Sequence, residues 1–421
     1  MKRRIVSNQL NEEERIHSDD STIKENSTEN ENNSSPEKET EERIEFYTEE
    51  DNALYPILCT LLAVSSFSSI YQLWKSRGIW LDEGRLAWEM LANGDFKNVI
   101  LLLCHFSSSI VSIYFIGLIA FKYLRSYPKL INLFKNIYCI IILSVAAFFS
   151  MKDHWPIIPS IALTAQSVVT TLKIYSFLSI VFQSNNNSDS DIYPSFKEYL
   201  RFHFSPSLVF IPSMEYTHSI RISYVIQKLF IVFLCLLRLY TSVVEMYPFF
   251  VKYHQGEITF LEIYISILPR IYVAFFLLFG LLFMGICPLF AELTRWPDRR
   301  FFSYWWTSCS ISEFSRLWNK PVHQFLYTHV YKPLYKDQHY SKFFSTLITY
   351  VISAFGHEYV LFFSTHAFRP VISLVILLET PLDYLLLFII KKFPNLKKVI
   401  NVLFHLAISF FMSFFLLVYI K

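Results

Sequence analysis

Charge is scarce in this chain of 421 residues. Asp, Glu, Lys and Arg make up 17%, whereas 53% is hydrophobic and 18% aromatic; a soluble domain carries about 25% charged residues. The scarcity is concentrated in uncharged runs that reach bilayer-spanning length, ~20 apolar residues in a helix. This excludes a soluble globular protein. It also excludes a membrane β-barrel, whose segments alternate over ~10 residues. Cysteine is sparse too. Of six, Cys59, Cys104, Cys139, Cys235 and Cys287 lie in apolar runs and only Cys309 in a polar stretch. No C-x-x-C pair exists, so neither a disulfide framework nor a zinc site is suggested. The region after Met1 lacks the pattern of a cleavable signal peptide, so the first span is expected to act as its own insertion signal. Serine-hydrolase elbows (G-x-S-x-G) and phosphate-cradling loops (G-x-x-x-x-G-K-[ST]) are absent as well.

What the sequence does contain divides sharply. Residues 1–50 carry 15 acidic and 7 basic side chains, net −8, which leaves +11 on the remainder. This tail, rich in Glu, Asn and Ser, cannot bury enough apolar surface to offset ordering entropy and reads as disordered. Residues 51–421 read as one membrane domain. Uncharged runs predict helices at 54–74, 98–121, 136–151, about 154–183, about 222–250, about 258–291, 343–365, 370–390 and 399–420. The expected fold is therefore an all-α polytopic membrane protein of about nine spans. Loop charge gives its orientation: 122–135 holds four basic and no acidic residues, 292–342 eight and four, and 391–398 four and none, while 75–97 balances four against four. The positive-inside rule then puts the N-terminus in the cytosol and Lys421 on the far side. Segments 184–221 and 292–342 have the aromatic and proline content of short amphipathic helices at the membrane surface.

One span breaks the apolar pattern. In "LITYVISAFGHEYVLFFSTH" (347–366), His357 and Glu358 stand side by side, with Ser353 one helical turn before His357. A zinc-peptidase helix H-E-x-x-H is ruled out, because its second His would fall on Leu361. An imidazole held neutral by burial is a natural general base, and Glu358 would support a neighbour such as Arg369. A second polar cluster, "FSRLWNKPVHQFLYTHVYKP" (314–333), offers Asn319 and His323, four apart and on one helical face only if a helix begins near Lys320. The Asn319 amide could donate to a developing oxyanion. Ordinary explanations compete at each position: a core histidine for His357, a helix N-cap for Asn319, a loop hydrogen bond for His323, and an interfacial aromatic belt for Trp305 and Trp306. Arg295, Arg299 and Arg300 fit coenzyme phosphates or positive-inside bias equally well.

These residues bring a resemblance into view. "AELTRWPDRRFFSYWWTS…FSRLWNKPVHQFLYTHVY…ISAFGHEYVLFF" resembles the membrane-bound O-acyltransferase superfamily, in the branch of sterol and diacylglycerol O-acyltransferases. "SPSLVFIPSMEYTHSIRISYV" (205–225) and "LKIYSF" (172–177) are similar to further elements of that branch. The resemblance implies that His357 is the catalytic histidine and Asn319 its partner. It further implies a fatty acyl transfer from acyl-CoA, as co-substrate without another cofactor or metal, to a lipid hydroxyl. One element departs: the family's F-Y-x-D-W-W-N stands here as Phe301-Phe302-Ser303-Tyr304-Trp305-Trp306-Thr307. Phe301, Trp305, Trp306, His323 and Ser353 are thus expected at the substrate site, with altered charge and hydrogen bonding in that element. The likeness leans to the fungal-type sterol branch. The expected activity is sterol esterification in the endoplasmic reticulum membrane by a dimer or tetramer; the alternatives are diacylglycerol as acceptor, or a non-enzymatic transporter or scaffold.

Overall fold

The computed structural model describes residues 59–420 apart from 73, 76–95, 125, 153–154, 185–192 and 213. The acidic segment 1–50 lies outside the described residues. Each of the nine predicted runs meets a long helix. We number the helices α1 (59–72), α2 (Phe96–Leu124), α3 (Pro128–Lys152), α4 (Ile157–Ser184), α5 (Phe196–Phe204), α6 (Ile222–His254), α7 (Phe260–Phe279), α8 (Cys287–Leu293), α9 (Ile311–Trp318), α10 (Lys320–Leu326), α11 (Lys342–Thr365), α12 (Val371–Lys392) and α13 (Lys397–Ile420). A π-helical stretch, Gly280–Ile286, joins α7 to α8 without a break. Seven of these elements, α2, α3, α4, α6, the α7–α8 rod, α11 and α13, are long and apolar enough to cross a bilayer. The protein is an all-α polytopic membrane protein, and the predicted count of nine spans is approximate.

The helices pack largely as sequence neighbours: α3 on α4, α6 on α7, α11 on α12, with α11 also against α4 and α13 against α7. Large apolar side chains such as Leu118, Ile140, Phe233, Ile265 and Phe388 stay exposed, as expected of a surface that faces lipid. α3 begins at Pro128, eight residues before the predicted span. Lys135, counted above as a loop charge, is therefore a buried helical residue: its Nζ donates to Ser179 Oγ at 2.9 Å and lies 4.1 Å over the Tyr175 ring.

α4 is the organising element. Ser160, Thr164, Ser167, Thr170, Lys173, Ser176 and Ser179 are all buried along it. The first of these join it to α11. Ser160 Oγ donates to Phe363 O at 3.1 Å, Thr164 Oγ1 lies 3.2 Å from Ser364 Oγ, and Ser167 Oγ lies 3.4 Å from the Tyr359 hydroxyl. Further along, Lys173 explains why a charge was tolerated within an apolar run. Its Nζ donates to Phe202 O, Ser205 O and Ser207 O at 3.0, 2.6 and 2.7 Å, gathering carbonyls at the end of α5, where intrahelical donors run out.

α5 starts with a capping box, Ser195 and Glu198 satisfying each other's backbone amides. It buries Tyr199 and Phe202 in a core with Ile113, Tyr114, Phe177 and Phe210. Burial of each such ring contributes roughly 2–3 kcal/mol. At the start of α6, Glu292 from α8 accepts from the Arg221 backbone at 2.7 Å and side chain at 2.9 Å, and from Arg299 at 2.9 Å. Within the hairpin, a Cβ on Gly285 would lie 2.8 Å from Val232 Cγ2, so glycine lets α6 approach the π-helical stretch closely.

Candidate active site

α11 carries two of the predicted site residues, Ser353 and His357, with Glu358 beside them. It is capped by Ser341, whose Oγ accepts from Phe344 N at 3.2 Å, and it stops at His366 in the left-handed region, φ 53°. Of the adjacent polar pair, Glu358 is the buried one, at 8% exposure, while His357 is exposed. The expectation of a buried His357 is thus corrected, because successive helical positions point about 100° apart and only Glu358 faces the packed side. Glu358 Oε2 accepts from Ser373 Oγ on α12 at 3.0 Å, and the Tyr419 hydroxyl on α13 stands 3.3 Å from both carboxylate oxygens. Nor does Glu358 pair with the Arg369 side chain, as anticipated. That guanidinium donates to Val418 O, and the Tyr419 hydroxyl also reaches Arg369 O.

The His357 ring is oriented by its own helix: Nδ1 lies 2.8 Å from Ser353 O. A carbonyl only accepts, so Nδ1 carries the hydrogen of that bond. The neutral ring then presents Nε2 with a free lone pair. Ser353, half-buried, contributes this carbonyl.

The other cluster is built on α9 and α10. Asn319, at φ −139° and ψ 81°, interrupts them, and its Oδ1 accepts from Val322 N at 3.2 Å. α10 therefore begins at Lys320, as the pairing of Asn319 with His323 requires. Asn319 performs the N-cap role, and Oδ1 is the atom committed to it. His323 is half-buried, its ring 6.4 Å from Tyr327. Past α10 the chain winds into π-helical turns, Tyr327–Tyr331 and Pro333–Asp337, which pack against α11. Wider turns bring Tyr327, Tyr331 and Tyr335 into a stack, with centroids 5.8 and 5.5 Å apart. Such π-helical insertions are frequent at functional sites. His329 Nε2 lies 2.8 Å from Ser176 Oγ, which also accepts from Phe210 N at 2.9 Å. Burial first, and the charge of Lys135 second, push His329 down to about 4. No hydrogen bond joins Asn319 to His357 among the described residues.

The Phe301–Thr307 element lies along the end of α9. Phe301 and Trp305 are buried in an aromatic cluster with Phe279, Phe283 and Trp296, and Trp318 stacks on Phe275 at 4.7 Å. Lys320 N donates to Phe301 O at 3.0 Å and Ser303 N to Leu317 O at 2.8 Å, so this element braces the residues on either side of Asn319. The Trp305 indole N–H meets no acceptor among the described residues. Trp306 is exposed, and its carbonyl accepts from Asn401 and His405 of α13 at 2.9 and 2.8 Å. Arg295, Arg299 and Arg300 are engaged by Thr217 O, Glu292 and Asp298. No group of three metal-capable side chains gathers among the described residues.

Sequence reasoning passed over Asp383, Ser373, Tyr419, Asn401 and His405. A signal existed for Asp383, which with Glu379 is one of two acids inside the predicted span 370–390. Tyr419 and Ser373 carry none, because tyrosine and serine are ordinary in such helices.

Comparison with known proteins follows the same residues. The sequence model of the membrane-bound O-acyltransferase family matches residues 121–421. Among curated proteins, a probable sterol O-acyltransferase 1 of Schizosaccharomyces pombe is 38% identical over 149 residues, 35% of this chain and 27% of that one. The sterol O-acyltransferase 1 of Mus musculus is 31% identical over 223 residues, 50% of this chain and 41% of that one. The protein of the same name in Saccharomyces cerevisiae is 31% identical over 198 residues, 43% and 32% of the two chains. The matched segments thus span between about a quarter and two fifths of these relatives.

Proposed function

Because the chain belongs to the membrane-bound O-acyltransferase family, we propose that it transfers a fatty acyl group from acyl-CoA to the hydroxyl of a membrane sterol. The observation that carries the mechanism is the 2.8 Å contact between His357 Nδ1 and Ser353 O, which leaves Nε2 as the proton acceptor. In the reaction, His357 Nε2 takes the sterol hydroxyl proton as the oxygen attacks the thioester carbonyl carbon. The Asn319 amide N–H donates to the carbonyl oxygen as it becomes negative, a role compatible with its cap because the cap uses only Oδ1. Collapse of the tetrahedral intermediate breaks the C–S bond. The proton on His357 then passes to the coenzyme A thiolate, and steryl ester and coenzyme A leave.

Glu358, tied to Ser373 and Tyr419, holds α11 at the height where His357 meets the lipid hydroxyl. Phe301, Trp305, Trp306, His323 and Ser353 line or brace the same site. The sterol acceptor is supported by the relatives named as sterol O-acyltransferases. The same reading puts the protein in the endoplasmic reticulum as a homo-oligomer, with its N-terminus and the 292–342 loop in the cytosol, where acyl-CoA is available.

The test uses microsomes that express the chain, supplied with labelled oleoyl-CoA and either a sterol or diacylglycerol. Labelled steryl ester is expected. Triacylglycerol instead would move the acceptor to diacylglycerol, and no ester with any lipid alcohol would overturn the enzyme reading. His357→Ala should lower turnover at least 100-fold, on the order of a lost general base, without changing expression or oligomer size. Retained turnover in that variant sinks the mechanism.

A further inference from the structure

We propose that Asp383 is a positioning residue for this acyl transfer: its carboxylate, carried on α12, caps the N-terminus of α9 and so fixes where Asn319, at the far end of α9, stands relative to His357. The inference rests on the roles given to Asn319 and His357 above.

Asp383 is 7% exposed, inside a helix whose neighbouring turns hold Leu378, Leu382, Leu385 and Leu387. A carboxylate buried among leucines is costly unless hydrogen bonds or an opposite charge compensate it. Here the partner is a helix end. Asp383 Oδ1 accepts from Ile311 N at 2.8 Å and Ser312 N at 3.3 Å, the first two amides of α9, which have no acceptor within their own helix. The next two are also satisfied, Glu313 N by Ser310 Oγ at 3.3 Å and Phe314 N by Ser310 O at 3.0 Å. The negative charge also sits at the positive end of the α9 dipole.

Geometry turns this cap into a positioning device. α9 has eight residues, roughly 12 Å of rigid rod, and Asn319 follows its last residue. α12 follows α11 directly, packs on it, and is bonded to it next to His357 through Ser373 and Glu358. Asp383 thus connects the hairpin that bears His357 to the rod that bears Asn319. A shift of the rod by about 1 Å would reach Asn319 undiminished, and a misplacement of that size can cost about 100-fold in rate.

Three substitutions in the full-length protein test the proposal. Asp383→Glu keeps charge and cap but pushes α9 outward by about one methylene; kcat should fall 10- to 100-fold, with KM for oleoyl-CoA within about twofold and the melting temperature unchanged. Asp383→Asn, which preserves position and an acceptor oxygen, should retain most turnover. Asp383→Leu should abolish the protection of the Ile311 and Ser312 amides against hydrogen exchange. In an Asn319→Ala background, Asp383→Glu should cause little further loss, because both act through one group. Full kcat in Asp383→Glu overturns the positioning role, as do independent, multiplying effects with Asn319→Ala. Equal losses in the Asn and Glu variants, accompanied by a lower melting temperature, would make Asp383 a purely structural cap. If the unaltered protein transfers no acyl group, the functional reading fails, whereas the exchange of Ile311 and Ser312 still reports the cap by itself.

Discussion

The proposed mechanism gives Asn319 a second duty beside its N-cap, on the opposite end of one amide, and the two are separable. Oδ1 holds Val322 N, while the NH2 group is the donor assigned to the reaction. Asn319→Ala removes both and should cost about 1 kcal/mol of stability as a lost N-cap, together with turnover. Asn319→Ser keeps a capping oxygen, so its thermal stability should return to within a few tenths of a kcal/mol of the original, whereas turnover stays low. Equal recovery of both would remove Asn319 from the chemistry. His329 makes a different prediction. Its pKa lies at about 4 in the folded protein and near 6.5 when unfolded, so folding favours the neutral ring. That stability is present above pH 6.5 and is lost as the pH falls toward 4. Between pH 7 and pH 5 the protein should lose about 1–2 kcal/mol more than His329→Gln does, measured by thermal unfolding in detergent. A parallel pH dependence in the two proteins would contradict the buried neutral ring.

At the scale of elements, the 193–212 segment is held by two residues one turn apart on α4. Lys173 gathers three carbonyls, and Ser176 takes Phe210 N while meeting His329. Lys173→Met keeps the apolar stem but leaves the Ser205 and Ser207 carbonyls without their donor, at about 1–3 kcal/mol each, while Phe202 O keeps the Ser205 amide and hydroxyl. The expected result is a loss of roughly 2 kcal/mol or more, with faster hydrogen exchange across α5 and earlier proteolysis at Arg201. Unchanged exchange there would show that aromatic packing alone retains the segment. The sequence announced these elements unevenly. Long apolar runs gave the long helices, whereas a helix start at Lys320 was only the condition for Asn319 and His323 to share a face, a condition that α10 meets. The start of α3 was hidden by Lys135, because a charge inside a helix looks like a loop until its partners, Ser179 and Tyr175, are seen. For the candidate site, the sequence offered residue types but not their orientation. Nothing local says that Glu358 rather than His357 turns inward, since that depends on Ser373 and Tyr419, 15 and 61 positions away.

At the scale of the whole molecule, loop charge predicts a sidedness that glycosylation mapping can test. An acceptor sequon engineered into the turn after α6, near Gly256, should be glycosylated in microsomes. One placed near His339, between the π-helical turns and α11, should stay unmodified. The opposite result would invert the molecule and put Asn319 on the wrong side for cytosolic acyl-CoA.

The hydroxyl stripe on α4 bears on how such a chain assembles. Thr164 Oγ1 donates to Ser160 O at 2.7 Å and Ser167 Oγ to Thr164 O at 2.7 Å, bonds that need no second helix. A hydroxyl bonded to its own backbone can enter hydrocarbon without waiting for a partner. α4 can therefore insert alone, early in synthesis, and its Ser160 hydroxyl then donates to Phe363 O of α11, which is made some 200 residues later. α11 then docks onto a surface that was already at membrane depth and already polar, and order of synthesis becomes order of assembly.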